Sequence, residues 1–235
     1  MKILVMGGMH GNETLGIQLV KMLTDRPIAN VESLIANEEA TKKLCRFTGK
    51  DLNRSFPGGQ ANSYEDVRAK KLLALSKNYD LVFDFQNTYC PDNDCSFVGE
   101  SAISLLFDVS SMLGLSRVIV ADYDCINKYA PNCISIEISM DSKRNDPKLW
   151  YEQIKYLSQT STLGPSGDLS KYKFVYRMTL DDKEQFQLDK YKLKAFQPLE
   201  ASLCRKLGVT SPAYPIFIAD KFTPYNYGGL LNEVE

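Results

Sequence analysis

The chain has 235 residues, 44% of them hydrophobic, 24% charged and 11% aromatic, a balance that excludes a disordered or fibrous protein and allows a sizeable core. Lys plus Arg number 28 against 29 Asp plus Glu, and the net charge of −1 argues against a general nucleic-acid or anionic-membrane binder. No apolar run approaches the ~18 residues that a membrane-spanning helix needs.

The first apolar run, Ile3 to Met6, ends at Gly7-Gly8. It is too short for a signal peptide and reads as a buried strand. Leu15, Leu19, Val20 and Leu23 then recur at helical spacing, and Val31 to Ala36 is strand-like. A helix is expected around Ser63 to Lys77, followed by a strand through Leu81-Val82-Phe83-Asp84-Phe85. Next come a helix over Ala102 to Leu113 and strands over Arg117 to Ala121 and Ile134 to Ile138. Pro147 to Gln159 reads as a helix with Asp146 as N-cap and Pro147 at its first position. Strand and helix in alternation imply an α/β fold: a mostly parallel sheet flanked by helices. The pattern changes at Leu163-Gly164-Pro165-Ser166-Gly167, where short alternating stretches begin, among them Phe174 to Met178 and Tyr214 to Ile218. The expected organisation is an α/β domain over residues 1–160 and a small β-rich C-terminal domain over 161–235.

Six cysteines (45, 90, 95, 125, 133 and 204) are scattered along the chain without an export signal, so reduced thiols and a cytoplasmic location are expected. The single histidine, His10, lies in Gly7-Gly8-Met9-His10-Gly11-Asn12-Glu13, between the first strand and the first helix. Ligands gather at the carboxyl ends of parallel strands, which is where this turn falls. It lacks the glycine spacing and the lysine of a phosphate loop. His10 and Glu13 can face one cation as H-x-x-E, and imidazole and carboxylate are both good zinc ligands. The bare motif by itself reads more simply as a turn histidine and a glutamate at a helix N-terminus. Asp51-Leu52-Asn53-Arg54, with Arg46 ahead of it, combines planar guanidinium forks with a directional amide, suited to a carboxylate or an oxyanion. A surface pair of Asp51 with Arg54 is the plainer alternative. Asp84 is either an ion-pair partner or a group that orients a ligand from behind. Glu137 stands alone among apolar neighbours in Ile134-Ser135-Ile136-Glu137-Ile138. Burial raises such a carboxyl's pKa toward that of a general base, unless Arg54 or Lys128 pairs with it.

Taken in order, Gly-x-x-His-Gly-Asn-Glu, Asp-Leu-Asn-Arg, Asp-Phe-Gln-Asn-Thr and Ile-Glu-Ile resemble the aspartoacylase / succinylglutamate desuccinylase family of zinc-dependent amidohydrolases. A weaker echo continues through Phe196 to Leu199 and Tyr214 to Phe217. The resemblance implies a zinc carboxypeptidase-like fold, one zinc ion and cleavage of an N-acyl amino acid or similar small carboxylate-bearing amide. By position, His10 and Glu13 match two zinc ligands, and Asn53 and Arg54 match the pair that holds the substrate carboxylate. Arg46 matches the arginine that polarises the scissile carbonyl, and Glu137 the general acid/base. Tyr225 falls, with a one-residue shift, near a substrate-contacting tyrosine.

Two positions depart from the pattern. Asn127 stands where the family has a further arginine, with Lys128 beside it, which removes a partner for an acidic side chain. Gln86 stands where the family has its third ligand, a histidine. Its amide oxygen is a weaker donor, so the zinc is either weakly held or absent. Cys90 and Cys95 are the only nearby thiolate candidates. The alternative is therefore a metal-free pseudoenzyme that binds a small carboxylate. A homo-oligomer is compatible with the sequence, though no residue argues for one.

Overall fold

The computed structural model describes residues 1–59, 63–160, 167–219 and 226–234. Its elements in chain order are β1 (Ile3–Gly7), α1 (Thr14–Asp25), β2 (Val31–Ile35), α2 (Glu38–Lys42), a 3-10 turn (Leu52–Arg54), α3 (Tyr64–Ser76), β3 (Leu81–Thr88) and β4 (Cys95–Gly99). They continue with α4 (Leu105–Met112), β5 (Arg117–Ala121), α5 (Ile126–Tyr129), β6 (Cys133–Ser139), α6 (Pro147–Gln159) and β7 (Ser170–Thr179). The last are α7 (Leu180–Phe186), α8 (Ala201–Leu207), β8 (Tyr214–Ile216) and β9 (Asn226–Val234). The strands form one sheet in the order β2-β1-β3-β6-β4-β5-β7-β9-β8. From β2 to β6 every pairing is parallel; β4 runs antiparallel to β6, and β9 antiparallel to both β7 and β8.

The period of two along each strand sorts side chains between the two faces. Ile3, Val5, Leu81, Phe83, Phe85, Ile134, Ile136 and Ile138 join Leu15, Leu19, Trp150, Ile154 and Val109 in one core, beneath α1, α4 and α6. Leu4, Met6, Val82 and Cys133 face the other way, against Ala69 and Leu72 of α3 and Ile126 of α5. Parallel strands covered on both faces are apolar on both, and β3 and β6 follow this until the polar residues Asp84, Gln86, Ser135 and Glu137 interrupt the second face. Those four share the second face, and the register pairs Asp84 with Ser135 and Gln86 with Glu137. As expected, Asp146 caps α6, accepting the backbone N–H of Lys148 at 2.9 Å, with Pro147 following.

Nothing in the sequence signals β4, a strand that reverses direction within the parallel part. The described residues beyond 166 extend the same sheet through β7, β9 and β8, and they also bury a cluster of their own around Met178, Leu203 and Leu230. Of the break expected at residues 163–167, all but Gly167 lies outside the described residues, as does Tyr225.

Candidate active site

β2 and β3 flank β1 on opposite sides, so the sheet's order reverses there, and the crevice at the carboxyl ends of the strands opens at that point. The turn from β1 to α1 fills its edge. A Cβ on Gly7 would lie 2.1 Å from the carbonyl oxygen of Gly16, and one on Gly11 would lie 2.1 Å from the backbone of Ala40. Only glycine lets the turn sit this close to α1 and α2. Asn87 pins it from β3 by accepting the N–H of Leu15 at 2.9 Å, while its amide donates to the carbonyl of Ile138 on β6.

His10 and Glu13 are both buried, with His10 Nδ1 2.6 Å from Glu13 Oε1. His10 Nε2 lies 3.0 Å from Asp51 Oδ1. Asp51 also caps the 3-10 turn by accepting the N–H of Asn53, and Leu52 anchors that turn in the core. Arg46 reaches Glu13 at 3.5 Å and Asp51 at 3.4 Å. Asp51 therefore pairs with His10 and Arg46, not with Arg54. Arg54 donates to the carbonyl of Asn53 and lies 4.5 Å from the Tyr123 ring centre, without an ion-pair partner among the described residues. Lys128, a candidate partner for Glu137, instead pairs with Asp124 at 2.8 Å.

The loop carrying Arg46, Asp51, Asn53 and Arg54 is clamped by the first turn of α3. Glu65 accepts the N–H and hydroxyl of Thr48 and the N–H of Gly49, while Asp66 accepts the N–H of Gly59 and pairs with Lys50. Both acids are buried.

On the floor, Gln86 donates its amide to Asp84 at 2.6 Å, leaving its carbonyl oxygen as the atom available to a cation. Ser135 Oγ is 3.0 Å from both Asp84 Oδ2 and Asn127 Oδ1. The Asn127 amide donates to the carbonyls of Phe97 and Cys133. His10, Glu13, Arg46, Asn53, Arg54, Gln86 and Glu137 all line one cavity of about 100 Å³, together with Asn87, Asn127, Ser135, Phe97, Tyr123 and Phe217. Cys90 and Cys95 do not line it. The Cys90 thiol donates to the carbonyl of Ile218, and burial holds the Cys95 thiol well above its ordinary pKa.

Charge organises the site. Burial disfavours a charged His10, but the Glu13 carboxylate and the hydrogen bonds to Asp51 and Glu13 outweigh it and raise its pKa to about 9. Burial likewise opposes the Asp51 carboxylate, yet His10, Arg46 and Arg54 hold its pKa well below the usual range. Asp84 is pushed up to about 6 by burial, against the hydrogen bonds from Gln86 and Ser135. Four carboxyl groups (Glu13, Asp51, Asp84 and Glu137) face two guanidiniums, Arg46 and Arg54. The cluster is two positive charges short. A proton on His10 supplies one of them, a proton on Asp84 the other only below about pH 6, and one divalent cation would supply both.

The donors fit such a cation. Were a cation to replace the proton between His10 Nδ1 and Glu13, Asp51 would accept the remaining N–H on Nε2, the usual carboxylate–histidine arrangement at a metal. Glu13 Oε2 is buried without a hydrogen-bond partner among the described residues. Gln86 would supply a third, weaker oxygen, and no three His, Cys, Asp or Glu side chains among the described residues are placed to hold a metal ion by themselves.

The sequence did not assign Phe97, Tyr123 or Phe217 to the site, although Phe217 ends the stretch Tyr214 to Phe217 noted for its resemblance to the family. Tyr123 follows the carboxyl end of β5, a position that could have flagged it. Phe97 belongs to β4 and Phe217 has φ of 53°, and neither carries a local signal of a place in the site.

Residues 1–93 match the model of the succinylglutamate desuccinylase/aspartoacylase catalytic domain. A mouse N-acyl-aromatic-L-amino acid amidohydrolase (carboxylate-forming) is 32% identical over 123 residues, covering 44% of this chain and 38% of the relative. A probable aspartoacylase of a Nostoc species is 31% identical over 103 residues, covering 37% of this chain and 35% of the relative. The aligned part spans little more than a third of these curated relatives. The succinylglutamate desuccinylase structure from Chromobacterium violaceum superposes with a TM-score of 0.74 at 17% identity, covering 100% of this chain and 85% of that one. Residues 1–93 are thus similar to the succinylglutamate desuccinylase/aspartoacylase catalytic domain, and the fold along the whole chain resembles that of the desuccinylase structure.

Proposed function

We propose that the chain is a zinc-dependent deacylase that hydrolyses an N-acyl amino acid or a similar small carboxylate-bearing amide. The carrying observation is that the His10–Glu13 donor pair, Glu137 and Arg54, which has no ion pair among the described residues, share one cavity. His10 Nδ1 and Glu13 would hold the zinc strongly and the Gln86 oxygen weakly. When bound, zinc supplies a Lewis acid that lowers the pKa of a water and polarises a carbonyl. Arg54 and Asn53 hold the substrate carboxylate, turning binding into orientation of the amide. Arg46, tethered by Glu13 and Asp51, faces the scissile carbonyl oxygen as charge develops there. Glu137 takes a proton from the attacking water and returns it to the departing nitrogen. The products are a carboxylic acid and an amino acid.

The scattered cysteines point to the cytoplasm. Among the described residues, no helix is long and apolar enough to cross a membrane.

Gln86 supports a second reading, a metal-free pocket that binds a small carboxylate without cleaving it. Incubation with N-acetyl amino acids, with and without added zinc, separates the two. Amine release that requires zinc is expected; ligand binding with no release at any zinc concentration supports the second reading.

A further inference from the structure

A second cleft, of about 310 Å³, adjoins the first cavity. The two share Arg54, Tyr123 and Phe217 as a common wall. The rest of the second cleft comes from strands β7 and β9, beyond the residues that match the family model: Phe174, Val175, Tyr176, Arg177, Asn226, Gly228 and Gly229, with Asp122 at the loop after β5.

Its walls are flat and largely apolar. Phe97 stacks on Phe217 with centroids 6.1 Å apart and planes 10° apart, and on Phe174 at 6.4 Å and 19°. Tyr123 meets Phe174 edge-on at 5.8 Å. Gly229 lets the Phe174 ring lie directly on the bare backbone of β9: a Cβ there would fall 2.5 Å from the ring. The two charges besides Arg54, Asp122 and Arg177, are of opposite sign and give the cleft no net preference for an ionic group. In the first cavity the Asn127 amide is committed to two backbone carbonyls and Arg46 to two carboxylates, so neither is left for an acidic side chain.

Size divides the labour. An apolar cavity of roughly 150 Å³ admits benzene. The first cavity, at about 100 Å³, is smaller than that, while the second is about twice as large. We propose that the cleft walled by Tyr123, Phe174, Val175 and Phe217 receives a bulky apolar or aromatic side chain of the substrate's amino acid, and that the first cavity takes only the amide and a small acyl group. This rests on the reading of Arg54 as the holder of the carboxylate and narrows it to a substrate class. With the carboxylate at the shared wall, the amide lies on one side of Arg54 and the side chain on the other.

The test measures binding of free phenylalanine, leucine, alanine and aspartate to the full chain by calorimetry, with and without zinc, alongside turnover of their N-acetyl derivatives. Phenylalanine is expected to bind at least about tenfold more tightly than alanine or aspartate, since burying its side chain supplies that much. Val175→Glu, at a partly exposed position that tolerates a charge, and Phe174→Ala are each expected to cut the phenylalanine-to-alanine ratio to within about threefold. Arg54→Ala is expected to weaken both ligands and leave the ratio standing. Aspartate binding as tightly as phenylalanine, a ratio untouched by Val175→Glu, or no binding of any amino acid overturns the assignment. Preferential binding of phenylalanine without turnover supports the cleft and defeats the deacylase reading; turnover without preference does the reverse.

Discussion

Gln86 and Glu137 are register partners on adjacent parallel strands, β3 and β6, and both line the cavity from the same face of the sheet. The weakest donor of the proposed metal site therefore stands beside the residue proposed to move the proton. Substitutions at the two positions should have separable effects.

Gln86→His supplies an imidazole where the third donor is now an amide oxygen, with Asp84 placed to accept its other N–H. Zinc affinity is expected to rise about a hundredfold or more, measured by competition with a chromophoric chelator. Unchanged affinity would show that Gln86 does not face the ion.

Glu137→Gln keeps the size of the side chain and removes its basicity. The expected loss is about 10²–10⁴ in kcat, with zinc content and amino-acid binding retained. A fall in KM or metal content with kcat intact would assign Glu137 a different role.

Arg54→Ala removes the guanidinium that has no carboxylate partner among the described residues. A charge-assisted hydrogen bond that serves the ground and transition states alike sets KM, so its removal is expected to raise KM about 10–100-fold and leave kcat nearly unchanged. Arg54→Lys should recover only part of this, because an ammonium cannot grip a carboxylate in bidentate fashion.

Glu65→Ala strips the buried acceptor that ties Thr48 and Gly49 to α3 through three hydrogen bonds. A loss of about 2–4 kcal/mol is expected in urea unfolding. KM should also rise, since Glu65 anchors the loop bearing Asn53 and Arg54. Glu65→Gln, which keeps an acceptor oxygen, is expected to restore much of both.

Metal-free stability should depend on His10. Its pKa is about 9 folded against an ordinary 6.5, so folding favours the protonated form. That contribution is complete below pH 6.5 and is lost as pH rises through about 9, a change on the order of 3 kcal/mol. Thermal melts from pH 6 to 10 are expected to show the decline without zinc and to lose most of it with zinc, which takes the place of the proton on Nδ1. A flat metal-free profile would mean that His10 is neutral between its two carboxylates.

Much of this site was legible in the chain because its face of the sheet is written in alternation. Phe83-Asp84-Phe85-Gln86 and Ile134-Ser135-Ile136-Glu137-Ile138 place every polar residue on one side, and the register brings them together. The helix start at Asp146-Pro147 was equally local. The hydrogen bond of His10 with Asp51 joins residues 41 apart in sequence, and no spacing rule encodes it. The place of Phe97, Tyr123 and Phe217 in the site was invisible for a similar reason. They meet only because β4 reverses direction beside β6 and the last strands extend the sheet past β5. Aromatic residues in such segments look like ordinary core until the sheet order is known.

The most direct test follows amine release from N-acetyl-L-phenylalanine while zinc is titrated into the metal-stripped chain. Release that climbs with zinc and levels off at one ion per chain, and that stops on chelation, is the predicted course. A chain that stays silent across the whole titration, or one that cleaves equally well in the presence of chelator, would contradict a zinc-dependent hydrolase built on His10 and Glu13.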